Sequence, residues 1–347
     1  MPLVLENSIS DGRIEMSEKS VVEVSNLRKW FPVRRGFFQA LLSKKESFVR
    51  AVDDVSFDVR AKEIFGLAGE SGSGKTTTGR LVLKIIDPTK GKIFFKGEDI
   101  TRLSRKQMKR KQLRCRLQTV FQDPYESLNP RKTVMDIVAE GLRIQKVVNS
   151  EKEVEERVTK ALEDVKLVPP NEFLPRYPHE LSGGQRQRVA VARTFILNPE
   201  FVVADEPISM LDVSIRAEIL NLFLELVEKF NVSVLYITHD LATARHMCHR
   251  IAIMYLGKIM EMGTAEDIVY EPLHPYTQAL ISAVPVPDPK SRRIRLAIKG
   301  EIPSPVNPPP GCRFHTRCPI AEEVCRKEEP KLVKVGKEHY VACHRTK

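Results

Sequence analysis

The stretch Gly69–Thr76, GESGSGKT, constrains this chain more than any other. It fits G-x-x-x-x-G-K-[ST], a pattern that works only between a strand and a helix. "EIFGLAG" precedes it, a short apolar run ending in glycine. "TTTGRLVLKIID" follows with helical spacing, and "DPTKG" stops it. Glycines let the backbone wrap an anion closely, the amide N–H groups point at it, and the helix N-terminus adds partial positive charge. Ser71, Gly72, Ser73, Gly74, Lys75, Thr76 and Thr77 are therefore the expected contacts to the phosphates of a nucleotide. Lys75 should reach the β- and γ-phosphates, and the Thr76 hydroxyl should face Mg2+.

The surrounding pattern suits such a loop. "EFVVADEP" and "VSVLYITHD" are apolar β-rich runs ending in acidic or polar residues, and helices alternate with them. That order predicts an α/β fold, a parallel sheet covered on both faces. "VVEVSNLRKWFPV" and "RAVDDVSFDV" alternate as half-buried strands do, with the longer connection "RRGFFQALLSKKESF" between them. "GKIFFKGEDI" reads as a strand and turn. From about Asp123 to Pro178 the pattern is mostly helical, and "EKEVEERVTKALEDVKL" is an amphipathic helix. The "FVVADE" strand delivers two carboxylates. Asp205 would hold Mg2+ beside the loop. Glu206 has no metal task in that scheme and is free to polarise an attacking water. The plainer alternative is two solvated carboxylates at a strand end.

At 347 residues the chain is long enough for one large domain with an appendage, or for two domains. No stretch approaches 18 uncharged apolar residues, so no transmembrane helix is expected. The start, "MPLVLENSISDGRIEMSEKS", lacks a basic segment followed by an apolar run. Residues 1–20 are read as a flexible arm rather than a secretory signal. The formal net charge of +11 admits nucleic-acid binding, attraction to an anionic membrane surface, or plain solvation. The densest basic run, "RLSRKQMKRKQLRCR", has no aromatic residues to stack on bases. It is read as a solvated basic helix, and no nucleic-acid partner is expected.

Leu181–Gln185, LSGGQ, opens the helical run "QRQRVAVARTFILNP". With the phosphate loop before it and "ADE" after it, the chain from about Val21 to Pro287 resembles the ATP-binding subunit of ABC transporters. The resemblance implies a P-loop NTPase of RecA-like parallel sheet plus antiparallel β and helical subdomains. The nucleotide-binding domain would span 21–287, with a helical subdomain at about 123–195. Lys75, Glu206 and His239, the last in "ITHD", become the catalytic set, His239 matching the switch histidine at the γ-phosphate. Gln122 in "VFQDP" matches the loop glutamine that touches Mg2+ and faces the membrane partner. Phe31 in "KWFPV" matches the aromatic that stacks on adenine, with Trp30 as the second choice. "SMLD", Ser209–Asp212, matches the dimer-contact loop, although Met210 replaces the usual small residue. Ser182, Gly183, Gly184, Gln185 and Asp212 would then act on the ATP of an opposite subunit, so that two ATP molecules join two subunits and hydrolysis parts them.

"FQDPYESLNPR" and "HPYTQALISAVPVPDP" are similar to the oligopeptide/dipeptide-transport branch, and "SGGQRQR" to the second of its two ATPase subunits. The implied partners are another ATPase subunit (a heterodimer, or else a homodimer), two transmembrane permease subunits and, indirectly, an extracytoplasmic substrate-binding protein. The implied place is the cytoplasmic face of the plasma membrane, as a peripheral protein. Oligosaccharide or nickel import is the alternative cargo. A soluble ABC ATPase acting on nucleic acid is the rival, but such proteins usually carry two ATPase units or a coiled-coil insertion, and neither is seen here.

Beyond Pro285 the composition turns proline-rich, which places a boundary near Asp288 and a C-terminal extension at 288–347. It holds Cys312-x5-Cys318-x6-Cys325-x17-Cys343. Disulfides are not expected where an ATPase works. Zinc ribbons present C-x2-C pairs, absent here, although His315, His339 and His344 keep Zn2+ open. Four thiolates on Pro/Gly loops suit an iron–sulfur cluster better, and unliganded thiols are the third option. The tail also resembles the branch's "GC.F..RCP…C" segment, in which some members bind a [4Fe–4S] cluster through four such cysteines. With few large apolar side chains, the extension is expected to need that staple to fold. Cys115 and Cys248 read as small buried residues.

Overall fold

The computed structural model describes residues 20–33, 47–123, 127–283, 298 and 300–346. The N-terminal arm, most of the connection at 34–46 and the boundary near Asp288 lie outside the described residues.

Two sheets form where the alternation predicts them. β1 (Ser20–Pro32) pairs antiparallel with β2 (Phe48–Arg60), and β4 (Lys90–Phe95) and β5 (Glu98–Asp99) complete a sheet of order β2-β1-β4-β5. Its inner face, with Val24, Leu27 and Phe57, packs on the larger sheet, where Phe57 stacks on Phe65 at 5.2 Å between ring centroids. The larger sheet has eight strands. β6 (Leu117–Val120), β7 (Phe201–Asp205), β8 (Ser233–Thr238), β3 (Ile64–Ala68) and β9 (Arg250–Tyr255) run parallel in that order. Every residue of β3, β8 and β9 is buried, as strands covered on both faces must be. β10 (Lys258–Thr264) then turns back antiparallel on β9.

The phosphate-loop helix α1 (Lys75–Val82) is shorter than its sequence pattern. Lys84 takes a positive φ of 54°, and the Arg114 guanidinium donates to the Leu83 and Lys84 carbonyls that the broken helix leaves open. The helical region carries α2 (Val134–Gln145), capped by Thr133, and α3 (Glu151–Asp164), capped by Ser150 with Glu151 and Glu153 in its first turn. Val154, Val158, Ala161 and Leu162 form the buried stripe of α3 at helical spacing. α4 (Gly183–Phe195) packs against both, and α5 (Val213–Phe230) lies beside α4. The basic run is two short helices, Arg105–Arg110 and Leu113–Arg116, rather than the one expected. Gln112, with φ 52°, breaks it.

The extension differs most from expectation. β12 (Tyr340–Val341) adds to β10, pairing Val341 with Glu261 and Tyr340 with Met262, and β11 (Val333–Lys334) adds outside β12. Phe314 is fully buried against Tyr255, Tyr276 and His274 of the ATPase body, with ring centroids 5.2–5.8 Å away. Cys312 and Cys325 belong to that same core. Ion pairs Arg313–Asp53, Arg60–Glu338 and Lys258–Glu329 close the seam. The extension thus uses the core and sheet edge of its neighbour, so few apolar side chains of its own suffice.

Candidate nucleotide site

The loop from Gly69 to Thr76 wraps as its glycines allow. A Cβ at Gly69 would sit 2.2 Å from the Met254 carbonyl oxygen, and one at Gly74, where φ is 109°, 2.1 Å from that of Ala51. Lys75 is buried and donates to the carbonyls of Gly69 at 2.7 Å and Glu70 at 2.9 Å. Burial pulls its ammonium below the usual lysine range, while Glu206, Asp205 and Glu70 oppose that pull. Ser73 is buried under the loop, 3.4 Å from Lys75 Nζ.

Asp205 ends β7 behind Thr76, whose Oγ1 donates to it at 3.1 Å. Burial pushes the Asp205 carboxyl up, and the Thr76 hydrogen bond pulls it back. Glu206 adopts φ 46°, a left-handed backbone that costs a non-glycine residue on the order of 1 kcal/mol. Its own N–H is anchored to the Ile237 carbonyl of β8 at 2.9 Å. That bend turns its carboxylate into the cleft, between Gln122 Nε2 at 3.2 Å and His239 Nδ1 at 2.9 Å.

Except for Ser73 and Asp205, which sit behind it, these groups line one cleft of about 730 Å³. Ser71, Gly72, Gly74, Lys75, Thr76 and Thr77 form its cradle, and Gln122, Glu206 and His239 form a second, hydrogen-bonded group in its lining. The structure therefore brings most of the expected cradle residues, with Gln122, Glu206 and His239, to one cleft. Phe31 is not among the lining residues. It is the cross-strand partner of Val49, which is. Trp30, the second choice, is committed elsewhere: its Nε1–H donates to Asp53 at 3.1 Å and Arg50 covers its ring. Ser182, Gly183, Gly184, Gln185 and Asp212 do not line the cleft either. Ser182 and Gln185 form a capping box that opens α4, with Ser182 exposed at the helix start.

Sequence reasoning does not reach eight residues. Val49, Ala51, Glu70, Leu280, Ile302 and Pro305 line the cleft, the last two from the extension. The Tyr276 hydroxyl accepts the Glu70 N–H at 3.0 Å, and Arg317 grips the Glu70 carboxylate with both terminal nitrogens, at 2.7 and 3.1 Å. Tyr276 and Arg317 stand in "HPYTQ" and "RCP", stretches whose sequence signal is a branch likeness and a cysteine rather than a partner for Glu70.

The cysteines converge without forming a coordination shell. Burial pushes the Cys312 thiol up to about 11, helped by the nearby Cys325, Cys343 and Cys318, and burial also raises Cys318. Among the described residues, no three His, Cys, Asp or Glu side chains stand at metal-ligand spacing. The expected four-cysteine metal centre is therefore not carried by this geometry as the side chains stand. The thiols are neighbours, and their chemistry is that of soft-metal ligands.

The ABC transporter family profile matches residues 52–209, and the profile of the oligopeptide/dipeptide transporter C-terminal region matches residues 260–325. The oligopeptide transport ATP-binding protein AppF of Bacillus subtilis is 47% identical over 330 residues, spanning 94% of this chain and 98% of that protein. The chain belongs to the ABC transporter family. The ATP-binding cassette MJ0796, in a dimeric post-hydrolysis state with ADP and Pi, superposes with a TM-score of 0.60 at 26% identity, covering 70% of this chain and 98% of that one. CbiO1 from Clostridium perfringens, part of the complex cbiONQ, gives 0.61 over 73% of this chain and 92% of that one; at 24% identity this likeness concerns the fold alone. This chain is an ABC-type ATPase. The C-terminal profile starts inside β10, so it joins the His274–Tyr276 segment and Cys312–Cys325 in one unit. No described helix of the ATPase is long and apolar enough to cross a membrane.

Proposed function

We propose that this chain is the ATP-hydrolysing motor subunit of a membrane importer for dipeptides or oligopeptides. The carrying observation is the Glu206 carboxylate, turned by a positive φ into a cleft opposite the Lys75 cradle and held between Gln122 and His239. A carboxylate so placed can orient and deprotonate a water in line with a γ-phosphate. Ser71–Thr77 bind the phosphates through backbone amides, Lys75 draws charge from the β- and γ-oxygens, and His239 steadies both Glu206 and the γ-phosphate. Thr76, Gln122 and Asp205 would hold Mg2+, which would supply charge neutralisation on the phosphate oxygens.

The signature residues Ser182, Gly183, Gly184 and Gln185, with Asp212, serve the ATP of a second subunit, since they stand outside this chain's own cleft. That subunit is a different ATPase chain, or a second copy. Residues 21–287 form the nucleotide-binding unit, with the helical part at about 123–195, and 288–347 the extension. Two permease subunits anchor the pair to the cytoplasmic face of the plasma membrane, and a binding protein outside delivers cargo. The peptide cargo rests on the C-terminal profile and on the name of the Bacillus subtilis relative. Purified alone, the chain should hydrolyse ATP slowly and in a concentration-dependent way, and faster with its partner subunits; full activity independent of concentration would contradict a shared site.

The same reading gives Cys312, Cys318, Cys325 and Cys343 a [4Fe–4S] cluster, or Zn2+ as the alternative. Its support is that Cys312, Cys318 and Cys325 pack at the ATPase core and that Cys343 lies near Cys312. A protein prepared without oxygen should be brown with about four irons per chain. One zinc per chain would favour the alternative, and a colourless metal-free protein would end both.

A further inference from the structure

The nucleotide cleft has two ends of opposite chemistry. Glu206, Gln122 and His239 mark the end where the terminal phosphate belongs. A nucleotide held by the cradle must then send its nucleoside the other way. Of the lining that remains, the Glu70 carboxylate is taken up by Arg317, and the rest is apolar: Val49 and Ala51 from β2, Leu280, and Ile302 and Pro305 from the extension. Pockets that take a flat heterocycle are built this way, with apolar walls and a few polar groups at one end.

The extension wall is fixed rather than draped. Val306 forms a β-bridge with Val49, and the Arg50 N–H donates to the Pro305 carbonyl at 3.2 Å. Ile302 remains 44% exposed beside a strand that is otherwise tied down. An exposed isoleucine alone means little. What gives this one meaning is its place, in the lining of the cleft that also holds Val49 and the cradle. Behind the same loop, Arg317 of the extension holds the Glu70 carboxylate with two hydrogen bonds, and Tyr276 receives the Glu70 N–H. The extension therefore meets the loop from the front and from the back.

We propose that the C-terminal extension forms the nucleoside-binding wall of the ATP site, with Ile302 and Pro305 as specificity-determining residues that contact the base or ribose. This rests on the nucleotide reading above and extends it to residues outside the ATPase motifs. The extension then reports to the site directly, through the wall, without any movement of the sheet.

The test compares ATP with inorganic tripolyphosphate, which fills the cradle but has no nucleoside, on the full-length chain with Mg2+ by calorimetric titration. In Ile302→Ser the affinity for ATP should fall about ten-fold, as expected for a lost apolar contact, while that for tripolyphosphate stays unchanged. In steady state KM should rise and kcat hold. Pro305→Ser should repeat the pattern more weakly. Tripolyphosphate binding also certifies that the variant is folded. Unchanged ATP affinity in Ile302→Ser, or an equal loss for both ligands, would overturn the inference while leaving the ATPase reading intact. An unaltered chain that binds neither ligand would overturn both.

Discussion

The phosphate loop holds its shape mainly through near neighbours, whereas the extension holds its shape through residues far away in the chain. Lys75 returns to the carbonyls of Gly69 and Glu70, six and five positions back, and Thr78 N–H to that of Gly74. Arg313 reaches Asp53 across 260 positions, Arg317 reaches Glu70 across 247, and Glu338 receives Arg60 across 278. A locally built element survives changes elsewhere. A remotely built one ties its own folding to that of its neighbour, and its neighbour's to itself. On this account the extension is a structural part of the ATPase.

Deleting it should therefore have the largest effect. A chain ending at Ala283 would bare the β10 edge, empty the seat of Phe314 against Tyr255 and Tyr276, and leave Asp53 buried without Arg313. The truncated protein should aggregate or melt without a cooperative transition. A soluble truncation with an unchanged melting temperature would break the comparison, because the extension would then be an independent module.

A smaller and titratable effect comes from His274, at the seam between the two regions. Burial lowers its pKa to about 4, and its Nδ1 accepts the Tyr276 N–H, so the folded ring is neutral. In the unfolded chain the ring takes its proton near 6.5. The unfolded state therefore binds more protons between these values, and stability should be full above about 6.5 and fall by up to about 3 kcal/mol as the pH drops to 4. Chemical denaturation across that range should show the slope in the natural chain and lose it in His274→Asn. Equal slopes in both would mean that the seam leaves His274 open to water.

Arg317→Ala sharpens the comparison further, since it cuts a bidentate pair that joins extension to loop. Glu70 is only partly exposed, so a loss of about 2 kcal/mol is expected in denaturant titrations, with a raised KM for ATP. Arg317→Lys should recover part of each. A variant with normal KM would show that the loop needs no help from behind.

The same contrast explains what could be read beforehand. Lys75, Thr76, Asp205, Glu206, Gln122 and His239 stood out because each sits in a short motif whose chemistry is complete within a few residues. β3, β7 and β8 were legible because full burial makes them continuous apolar runs. Arg317 and Tyr276 were not, because their partner Glu70 lies more than 200 positions away. The break in the basic helix at Gln112 also escaped notice, since glutamine carries no signal for a positive φ. The extension's packing is not legible for a related reason: counting its own apolar residues misses a core lent by another region.

The central claim is that Glu206 activates water in a cradle that binds ATP without it. Single-turnover hydrolysis by Glu206→Gln, measured alongside ATP affinity and dimer formation, tests it most directly. Hydrolysis should slow by about 10²–10⁴-fold while ATP still binds and the ATP-joined dimer accumulates. Near-normal turnover in this variant would contradict the account.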